Sequence, residues 1–263
     1  MTNYDVFNGD ADGICALQQL WLHTPKESAL ITGLKREIDL LSRVDASSGD
    51  QITVLDVSLE KNRAAPDQVL NTGGSVFYAD HHFPGEIPEH QNLDVHIDVT
   101  ADTCTSLIVN ECLQGANARW AVVGAFGDNF DQVAKYLGSS IGLTESELTQ
   151  LQQLRICLNY NGYGFDLDDL IFHLKVLFQM ISPYSNPMDF VVLGEGYGAL
   201  LAQFQTDMKI LVLKHQMPSV RSTYFQINPG QNELLVSWVT TWQKNILIER
   251  MRYWWIWVMA VTE

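Results

Sequence analysis

The 263-residue chain has no run of about 18 uncharged apolar residues, the length that a membrane-spanning helix requires. Its first residues also lack the basic start and the apolar stretch of a secretory signal. We therefore expect neither a membrane span nor a membrane partner. A hydrophobic content of 46% with 18% charged residues is typical of a globular protein with a core, built as one large domain or two modest ones.

Cysteine is scarce, and its spacing shows neither a CxxC pair nor another zinc-type pattern. All four cysteines lie in apolar, helix-like surroundings, which predicts buried free thiols at Cys15, Cys104, Cys112 and Cys157. Free thiols persist in reducing compartments, so we expect a cytoplasmic protein.

Basic residues are also few, because 16 lysines and arginines stand against 31 acidic residues and leave a formal net charge of −15. Proteins that bind long DNA or RNA carry a basic stripe that neutralises phosphates, and the sequence shows none. Its one compact basic cluster is Lys35 and Arg36, with Arg43 nearby. We therefore expect no binding of long duplex nucleic acid. Most acidic residues are predicted to be solvated surface, and a few to hold a cation.

Short apolar segments alternate with helix-like segments up to residue 100. The predicted strands are residues 4–7, 29–32, 52–57, 75–79 and 95–97. The predicted helices between them are residues 12–22, 38–44 and 60–70. This alternation predicts an α/β fold with a parallel sheet and helices on both faces. In such sheets ligands bind in the loops that follow the carboxyl ends of the strands.

The pattern becomes helical after residue 100. Helical spacing of apolar residues predicts helices at residues 103–113, 119–126, 145–158, 166–181 and 197–216. Thr144 followed by Glu147 is a capping-box start for the third of these helices.

Acidic residues follow two of the predicted strands. Asp10 and Asp12 stand two residues apart in a turn after the first strand, and both carboxylates can point at one cation there, while Gly9 and Gly13 permit a tight backbone. Asp56 ends an otherwise apolar strand, where an unpaired carboxylate is costly to bury. Alone, each signal is weak, because acidic turns and helix N-caps without a metal are common.

Two more segments carry the same kind of chemistry. The triplet Asp80-His81-His82 follows the next predicted strand, so one imidazole can bind a metal while its neighbour faces a substrate. A carboxylate beside such a histidine can orient its ring. Asp128 follows Gly127 at the end of a helix or short strand, where the alternative is a plain helix stop.

Taken together and in this order, the four segments resemble the DHH phosphoesterase superfamily, in its RecJ-like and oligoribonuclease-like branch. The matching motifs are residues 10–13, Asp56, residues 80–82 and residues 127–128, and residues 102–107 resemble the small-residue segment of the family. The motifs span residues 3–130, and the resemblance extends through the helical part to about residue 215.

The resemblance implies two divalent cations, usually Mn²⁺, with Mg²⁺ as the alternative. In the family pattern one ion is held by Asp10 and Asp128, the other by Asp12 and His81, and Asp56 bridges the two. Carboxylate and imidazole ligands suit these ions better than thiolate-rich zinc sites do.

The same pattern implies three catalytic residues: His82, Asp80 and Asp56. His82 is expected to donate to the substrate phosphate, and Asp80 to support the histidines. A water activated by the cations is expected to attack phosphorus in line. Many family members carry a histidine four residues before the first aspartate, and Val6 occupies that position here, which leaves the first metal site one ligand short.

The resemblance also divides the chain. Residues 1–140 are predicted to form the DHH catalytic core, residues 141–218 its helical continuation, and residues 219–263 an incomplete or atypical C-terminal region. A glycine-rich segment ending in arginine, which clamps substrate in nuclease-type members, is missing. Five of the seven tryptophans fall between Trp238 and Trp257, which is consistent with a buried terminal segment, a homodimer interface or a change of reading frame.

The sequence thus favours hydrolysis of phosphodiester bonds in a small phosphate-containing substrate, a short oligonucleotide or a cyclic dinucleotide. A phosphoanhydride hydrolase of the pyrophosphatase type is an alternative, although that branch generally keeps the early histidine. A non-catalytic metal-binding or nucleotide-binding protein is the alternative of another class, because the substrate clamp is missing.

Overall fold

The computed structural model describes residues 1–164 and 166–216, and it confirms the predicted α/β class. Its sheet has five parallel strands in the order β2-β1-β3-β4-β5. The strands are β1 (Asn3–Asn8), β2 (Ala29–Gly33), β3 (Gln51–Leu55), β4 (Ser75–Asp80) and β5 (Leu93–Ile97). The chain runs from β1 outward to β2 and then crosses back to β3, so the winding direction reverses between β1 and β3. Loops at such a reversal leave a crevice at the carboxyl ends of the strands.

Successive residues of the central strands bury opposite faces of the sheet. Phe7 of β1 and Leu55 of β3 belong to the larger core cluster, whereas their predecessors Val6 and Val54 belong to the smaller one. Because side chains alternate along a strand, a strand covered on both faces must be apolar throughout. That requirement explains the largely apolar strands β3 and β4, whereas β1 also buries the ion-paired Asp5. The two core clusters confirm that helices cover both faces of the sheet.

Ten helices lie in the part of the chain that the structure describes. They are α1 (Ala11–His23), α2 (Leu59–Asn62), α3 (Ala64–Asn71), α4 (Thr105–Cys112), α5 (Ala118–Gly127), α6 (Asp131–Ser140), α7 (Glu145–Gly162), α8 (Leu174–Ile181), α9 (Pro187–Leu193) and α10 (Glu195–Gln216). Short 3-10 turns occur at Leu40–Arg43 and Leu167–Asp169.

Local caps account for where several helices begin. The predicted capping box is present at α7, where the Thr144 side chain accepts from the Glu147 amide and the Glu147 side chain accepts from the Thr144 amide. The α9 helix starts after Asn186, whose side chain caps the first turn, and Pro187 takes the first helical position.

The larger core cluster joins the first part of the chain to the helical part. Leu151 and Leu154 of α7 and Leu177 of α8 are fully buried in the same cluster as Phe7 of β1. Within the predicted continuation, α7 and α8 therefore pack directly on the sheet domain. The division into residues 1–140, 141–218 and 219–263 stays a prediction, and its last region lies outside the described residues.

Three predicted helices differ from the structure. Residues 38–44 form only a 3-10 turn, and residues 60–70 are divided between α2 and α3. In the predicted helix 166–181, only α8 is an α-helix, because Asp166 caps a short 3-10 turn and His173 then caps a new helix start. Side chains that bond to the backbone in this way compete with a continuous helix.

Two helices, α6 and α9, were not predicted. Only Ala134 and Gly138 of α6 are buried, so this ten-residue helix offers few apolar residues on which a prediction could rest. The prediction for cysteine was right for Cys15, Cys104 and Cys157, which are buried free thiols, and wrong for Cys112, which is exposed. None of the helices in the described ranges is long and apolar enough to cross a membrane.

Candidate metal centre

The predicted acidic and histidine residues meet at one edge of the sheet. The strands β1, β3 and β4 are neighbours, and their carboxyl ends lead into Asp10, Asp56 and His81 respectively. Asp12 lies in the first turn of α1, and Asp128 directly follows the last residue of α5. This placement agrees with the expectation that ligands collect at the carboxyl ends of parallel strands.

The turn after β1 is fixed by Asp10 itself. Its Oδ1 accepts hydrogen bonds from the amides of Asp12 and Gly13 at 3.0 and 3.1 Å, which caps the N-terminus of α1. A side chain at Gly13 would collide with the carbonyl of Asn8, so the turn requires glycine at that point. The capping aspartate that sequence analysis treated as an alternative to metal binding is therefore present, and its Oδ2 is left for another partner.

Asp12 is fully buried against the N-terminus of α4. Its two carboxylate oxygens accept from the amides of Thr105 and Ser106, each at 2.8 Å, and its carbonyl accepts from the Ser106 hydroxyl at 2.8 Å. Amides at a helix N-terminus favour a negative charge. Burial and the nearby charge of Asp128 nevertheless raise the pKa of Asp12 to about 6.

Asp56 sits in a left-handed backbone conformation, with φ of 58°. Its amide donates to the carbonyl of Ala79 at 3.1 Å, and the Thr105 hydroxyl donates to its Oδ1 at 3.4 Å. Residues other than glycine seldom adopt this conformation, and such positions cluster at functional sites. Burial, with the charge of Asp10 next in size, raises the pKa of Asp56 well above its usual value.

The two histidines of the triplet have different environments. His81 points inward, with Nε2 3.4 Å from Asp56 Oδ1 and 3.1 Å from Asp128 Oδ2. Burial lowers the pKa of His81, but hydrogen bonds to Asp128 and Asp56 outweigh it and raise this pKa to about 12. His82 lies at the rim with its side chain 48% exposed, and its Nδ1 is 2.7 Å from Oδ1 of the fully buried Asp80.

Asp128 lies between two cationic groups. Burial raises the pKa of Asp128, but the hydrogen bond from His81 and the charge of Lys35 outweigh it and lower this pKa. The helix α5 can end so close to the first acidic turn because Gly127 has no side chain, since an added Cβ would lie 2.9 Å from that of Ala11.

Among residues 1–164 and 166–216, two groups of side chains could hold a metal ion, and the donor atoms within each group lie within 4.8 Å of one another. One group is Asp12, His81 and Asp128, and the other is Asp56, His81 and His82. Asp128 is thus grouped with Asp12 and His81 and not with Asp10. His82 is close enough to Asp56 and His81 to serve as a third ligand of the second group. Asp10 lies outside both groups. The metal-binding and catalytic roles assigned to these residues from sequence stay predictions.

The residues present fit a hard divalent cation. The donors are carboxylate oxygens and imidazole nitrogens, which suit manganese and magnesium. Burial, with the charge of Asp12 next, raises the pKa of the neighbouring Cys104 thiol well above its usual value, so that residue stays protonated. The surrounding carboxylates, which raise the pKa of His81, favour a positive charge at the centre of the cluster.

Sequence analysis missed the role of Lys35. Its Nζ lies 2.6 Å from Asp10 Oδ2 and 3.7 Å from Asp128 Oδ1. Burial lowers the pKa of Lys35, but the charges of Asp10 and Asp128 outweigh it and raise this pKa well above its usual value. The available signal was its position two residues after β2, at the same edge of the sheet as the acidic loops.

Asn159 of α7 was also missed, and it ties two parts of the centre together. Its Oδ1 accepts from the amide of Ala11 at 2.8 Å, and its Nδ2 donates to the carbonyl of Gly127 at 2.9 Å. Both bonds are buried, and the first spans 148 residues of sequence. Nothing in the local pattern around Asn159 predicts this contact.

Comparisons with known proteins place the fold. No family model matches the sequence, and no curated protein matches it. A solved structure of the exonuclease RecJ bound to manganese has a TM-score of 0.52 with this chain at 15% identity, covering 81% of this chain and 64% of RecJ. RecJ from Thermus thermophilus in complex with Mn²⁺ has a TM-score of 0.47 at 16% identity, covering 81% of this chain and 37% of that one.

The first likeness shows the fold, which is the RecJ-like fold that the DHH resemblance predicted. The sheet, its parallel strands and the flanking helices are therefore confirmed. This chain spans just under two thirds of that RecJ chain, at 64%.

Proposed function

We propose that this chain is a divalent-metal-dependent phosphoesterase that hydrolyses phosphodiester bonds in a small nucleotide substrate. The observation that carries the proposal is the presence of two overlapping groups of metal-type donors that share His81: Asp12, His81 and Asp128 in one, and Asp56, His81 and His82 in the other. The likeness to a manganese-bound exonuclease supports it through the shared fold.

Asp12, Asp56, His81 and Asp128 would hold the cation, for which Mn²⁺ is the first candidate and Mg²⁺ the second. A cation bound there would supply an activated water and neutralise charge on the phosphate oxygens. Thr105 and Ser106 keep Asp12 in place through its two oxygens, so this carboxylate is oriented before any ligand arrives. The family resemblance predicts two ions, and their number stays a prediction.

His82 and Asp80 would act on the substrate side. The buried carboxylate of Asp80 holds His82 Nδ1, which fixes the ring and leaves Nε2 to meet the substrate at the rim. When both ring nitrogens carry a proton, Nε2 can donate to a phosphate oxygen and stabilise the charge that develops there. Asp80 is thus a positioning residue, and His82 is the catalytic residue that we expect to touch the phosphate.

The charge of the protein favours a small substrate. With a net charge of −15, the chain is expected to repel a long polyanion. A short oligonucleotide or a cyclic dinucleotide carries few phosphates and is repelled much less. The nucleic-acid contact we propose is therefore limited to short, single-stranded pieces. Free thiols fit a reducing, cytoplasmic setting.

A pyrophosphatase-type activity is the second candidate, because the same donor set can serve phosphoanhydride hydrolysis. The buried Val6, in place of a metal-binding histidine, argues against it. A non-catalytic metal-binding or nucleotide-binding protein is the third reading, and it predicts metal binding without turnover.

A substrate panel with Mn²⁺ tests the proposal. The purified chain is incubated with dinucleotides, cyclic dinucleotides, pyrophosphate and bis-p-nitrophenyl phosphate, and the products are separated by chromatography. We expect release of mononucleotides or p-nitrophenol that depends on the metal, and loss of it in the double variant Asp80→Ala/His81→Ala. Hydrolysis of pyrophosphate alone would support the second candidate, and Mn²⁺ binding without any turnover would support the non-catalytic one.

A further inference from the structure

Asp128 divides the acidic centre into two halves. Its Oδ2 faces His81 Nε2 at 3.1 Å, whereas its Oδ1 faces Lys35 Nζ at 3.7 Å. In the second half, the Lys35 ammonium also meets Asp10 Oδ2 at 2.6 Å. Asp10 and Asp128 are the two carboxylates that the family resemblance assigns to one of the metal ions, so a side-chain cation lies where that ion is expected.

The Lys35 ammonium is held in place by contacts of both its backbone and its side chain. The amide of Lys35 donates to the carbonyl of Gly162 at 3.3 Å, and the ring of Tyr163 lies beneath its Nζ, 5.8 Å from the centroid. Gly33, two residues earlier, accepts from the amide of Gly9 at 3.2 Å, which joins the end of β2 to the first acidic loop. A cation that also faces an aromatic ring gains from both contacts.

By the family resemblance, the same half of the centre lacks one protein ligand. Val6 stands where many family members carry a metal-binding histidine, and it is fully buried in the core cluster that contains Leu40 and Val54. The Val6 side chain therefore packs in the hydrophobic core. An ammonium group carries three N–H donors, which can satisfy carboxylate oxygens without any further protein ligand.

We propose that Lys35 takes the place of one metal ion, so that the centre binds a single divalent cation, held by Asp12, Asp56, His81 and Asp128. This inference rests on the proposed function, because it concerns the same site. A fixed positive charge within hydrogen-bond distance of Asp10 repels a second divalent ion from that position. During hydrolysis the ammonium supplies the second positive charge, as lysine does in other phosphoryl-transfer sites.

Mn²⁺ binding to the full chain tests the inference without relying on activity. Equilibrium dialysis gives the number of ions bound, and electron paramagnetic resonance distinguishes an isolated Mn²⁺ from an exchange-coupled pair. We expect one ion per wild-type chain, with the spectrum of an isolated ion. In Lys35→Met, which keeps the apolar stem and removes the charge, a second ion should bind at least about tenfold more tightly than to the wild type and give the spectrum of a coupled pair.

Two further variants act as controls. Lys35→Arg keeps a positive charge and should still bind one ion. Lys26 offers a matched position, since its Nζ pairs with the buried Asp5 Oδ1 at 2.8 Å and its side chain is 25% exposed, against 28% for Lys35. Because this ion pair lies outside the centre, Lys26→Met should leave both the number of ions and the spectrum unchanged.

The wild-type measurement alone can overturn the inference, whether or not each variant folds. Two ions bound with similar affinity and a coupled spectrum in the wild type would refute it. A Lys35→Met protein with a native circular dichroism spectrum that still binds one ion would refute it as well. Absence of Mn²⁺ binding in all four proteins would instead contradict the proposed function, and this inference with it.

Discussion

Single carboxylates of the metal centre differ in the charges that surround them. Asp12 and Asp56 are buried among other acids, and burial, ahead of those neighbouring charges, raises the pKa of each. For Asp128 burial is outweighed by the hydrogen bond from His81 and by the charge of Lys35, which lower its pKa. A divalent cation would therefore relieve Asp12 and Asp56 most, because their hydrogen bonds only partly offset the cost of burial.

Replacement of Asp56 by asparagine tests its proposed role as a metal ligand. We expect Mn²⁺-dependent hydrolysis of bis-p-nitrophenyl phosphate to fall at least about 100-fold, since a negatively charged ligand is lost. Asparagine tolerates the left-handed backbone, with φ of 58°, and an amide is cheaper to bury than a carboxylate. The melting temperature should therefore not decrease.

The matched control for this substitution is Asp94→Asn on β5, whose side chain is 68% exposed. It should change neither turnover nor the melting temperature. Undiminished turnover in Asp56→Asn would exclude Asp56 as a ligand.

Helix termini position the acidic groups, and they can do so only because the helices approach closely. The first turn of α4 donates to Asp12, and the end of α5 presents Asp128. Between these two helices lies Gly124, where an added Cβ would collide with the Ser106 side chain and lie 3.1 Å from Asp12 Oδ1. Because Gly124 has no side chain, α4 can pack close to α5 at this point. The position of α4 in turn fixes that of Asp12.

Gly124→Ala should for this reason be destabilising although alanine favours helices. The overpacked methyl is expected to cost about 1–3 kcal/mol and to weaken Mn²⁺ binding by displacing the first turn of α4. Gly198→Ala on α10 is the matched control, because an added Cβ meets nothing within 4 Å there, and it should stabilise by about 0.5–1 kcal/mol. Urea unfolding gives the free energy of unfolding of both variants. Equal changes in this free energy would show that the close approach of α4 and α5 does not affect stability.

Asn159 connects α7 to both acidic loops, so its removal should affect stability and site together. Asn159→Ala leaves the Ala11 amide and the Gly127 carbonyl buried without a partner, for which we expect a loss of about 2–4 kcal/mol. Asn117→Ala, which removes one partly buried bond to the carbonyl of Gln19, should cost only about 1 kcal/mol. Chemical denaturation measures both, and similar losses in the two variants would contradict the bridging role.

The elements could be predicted where the pattern was strong and local. All five strands were predicted within a few residues, because each contains a short apolar segment bounded by polar or glycine-containing turns. The helix predicted at residues 166–181 was wrong in its first half, where Asp166 and His173 bond to nearby amides and interrupt it. The short and mostly exposed α6 contains too few apolar residues to be predicted from the sequence.

The fold gathers four buried carboxylates at one edge of its sheet, those of Asp10, Asp12, Asp56 and Asp80. Asp12 has a folded-state pKa of about 6 against an ordinary 3.8, and His81 has one of about 12 against 6.5. A group with a raised pKa stabilises the fold below its unfolded-state value and loses that contribution as the pH rises through the folded-state value. For Asp12 this window runs from about 4 to about 6, and for His81 it begins near 6.5. Both groups therefore act in the same direction.

The metal-free protein is consequently expected to lose stability between about pH 5 and about pH 8. Saturating Mn²⁺ should reverse this loss of stability with pH, because the cation takes the place of the protons bound by the acidic cluster. At a free Mn²⁺ concentration of about 100 times its dissociation constant, the free energy of unfolding should increase by about 2.7 kcal/mol. Thermal unfolding in EDTA and in Mn²⁺ across this range measures both effects. Stability in EDTA that is constant or increases with pH would contradict the charge arrangement described here.

The chemical character of the centre follows from the residues alone, since Asp10, Asp12, Asp56 and the histidines stand at the ends of apolar strands that must lie side by side. Parallel strands bring such ends to one edge whatever the details of the packing. The fold of the whole chain decides how these groups share their charge. Lys35 reaches Asp10 from the loop after β2, and Asn159 of α7 binds the amide of Ala11, which lies 148 residues away in the sequence. Contacts over such separations depend on how helices and loops pack in three dimensions.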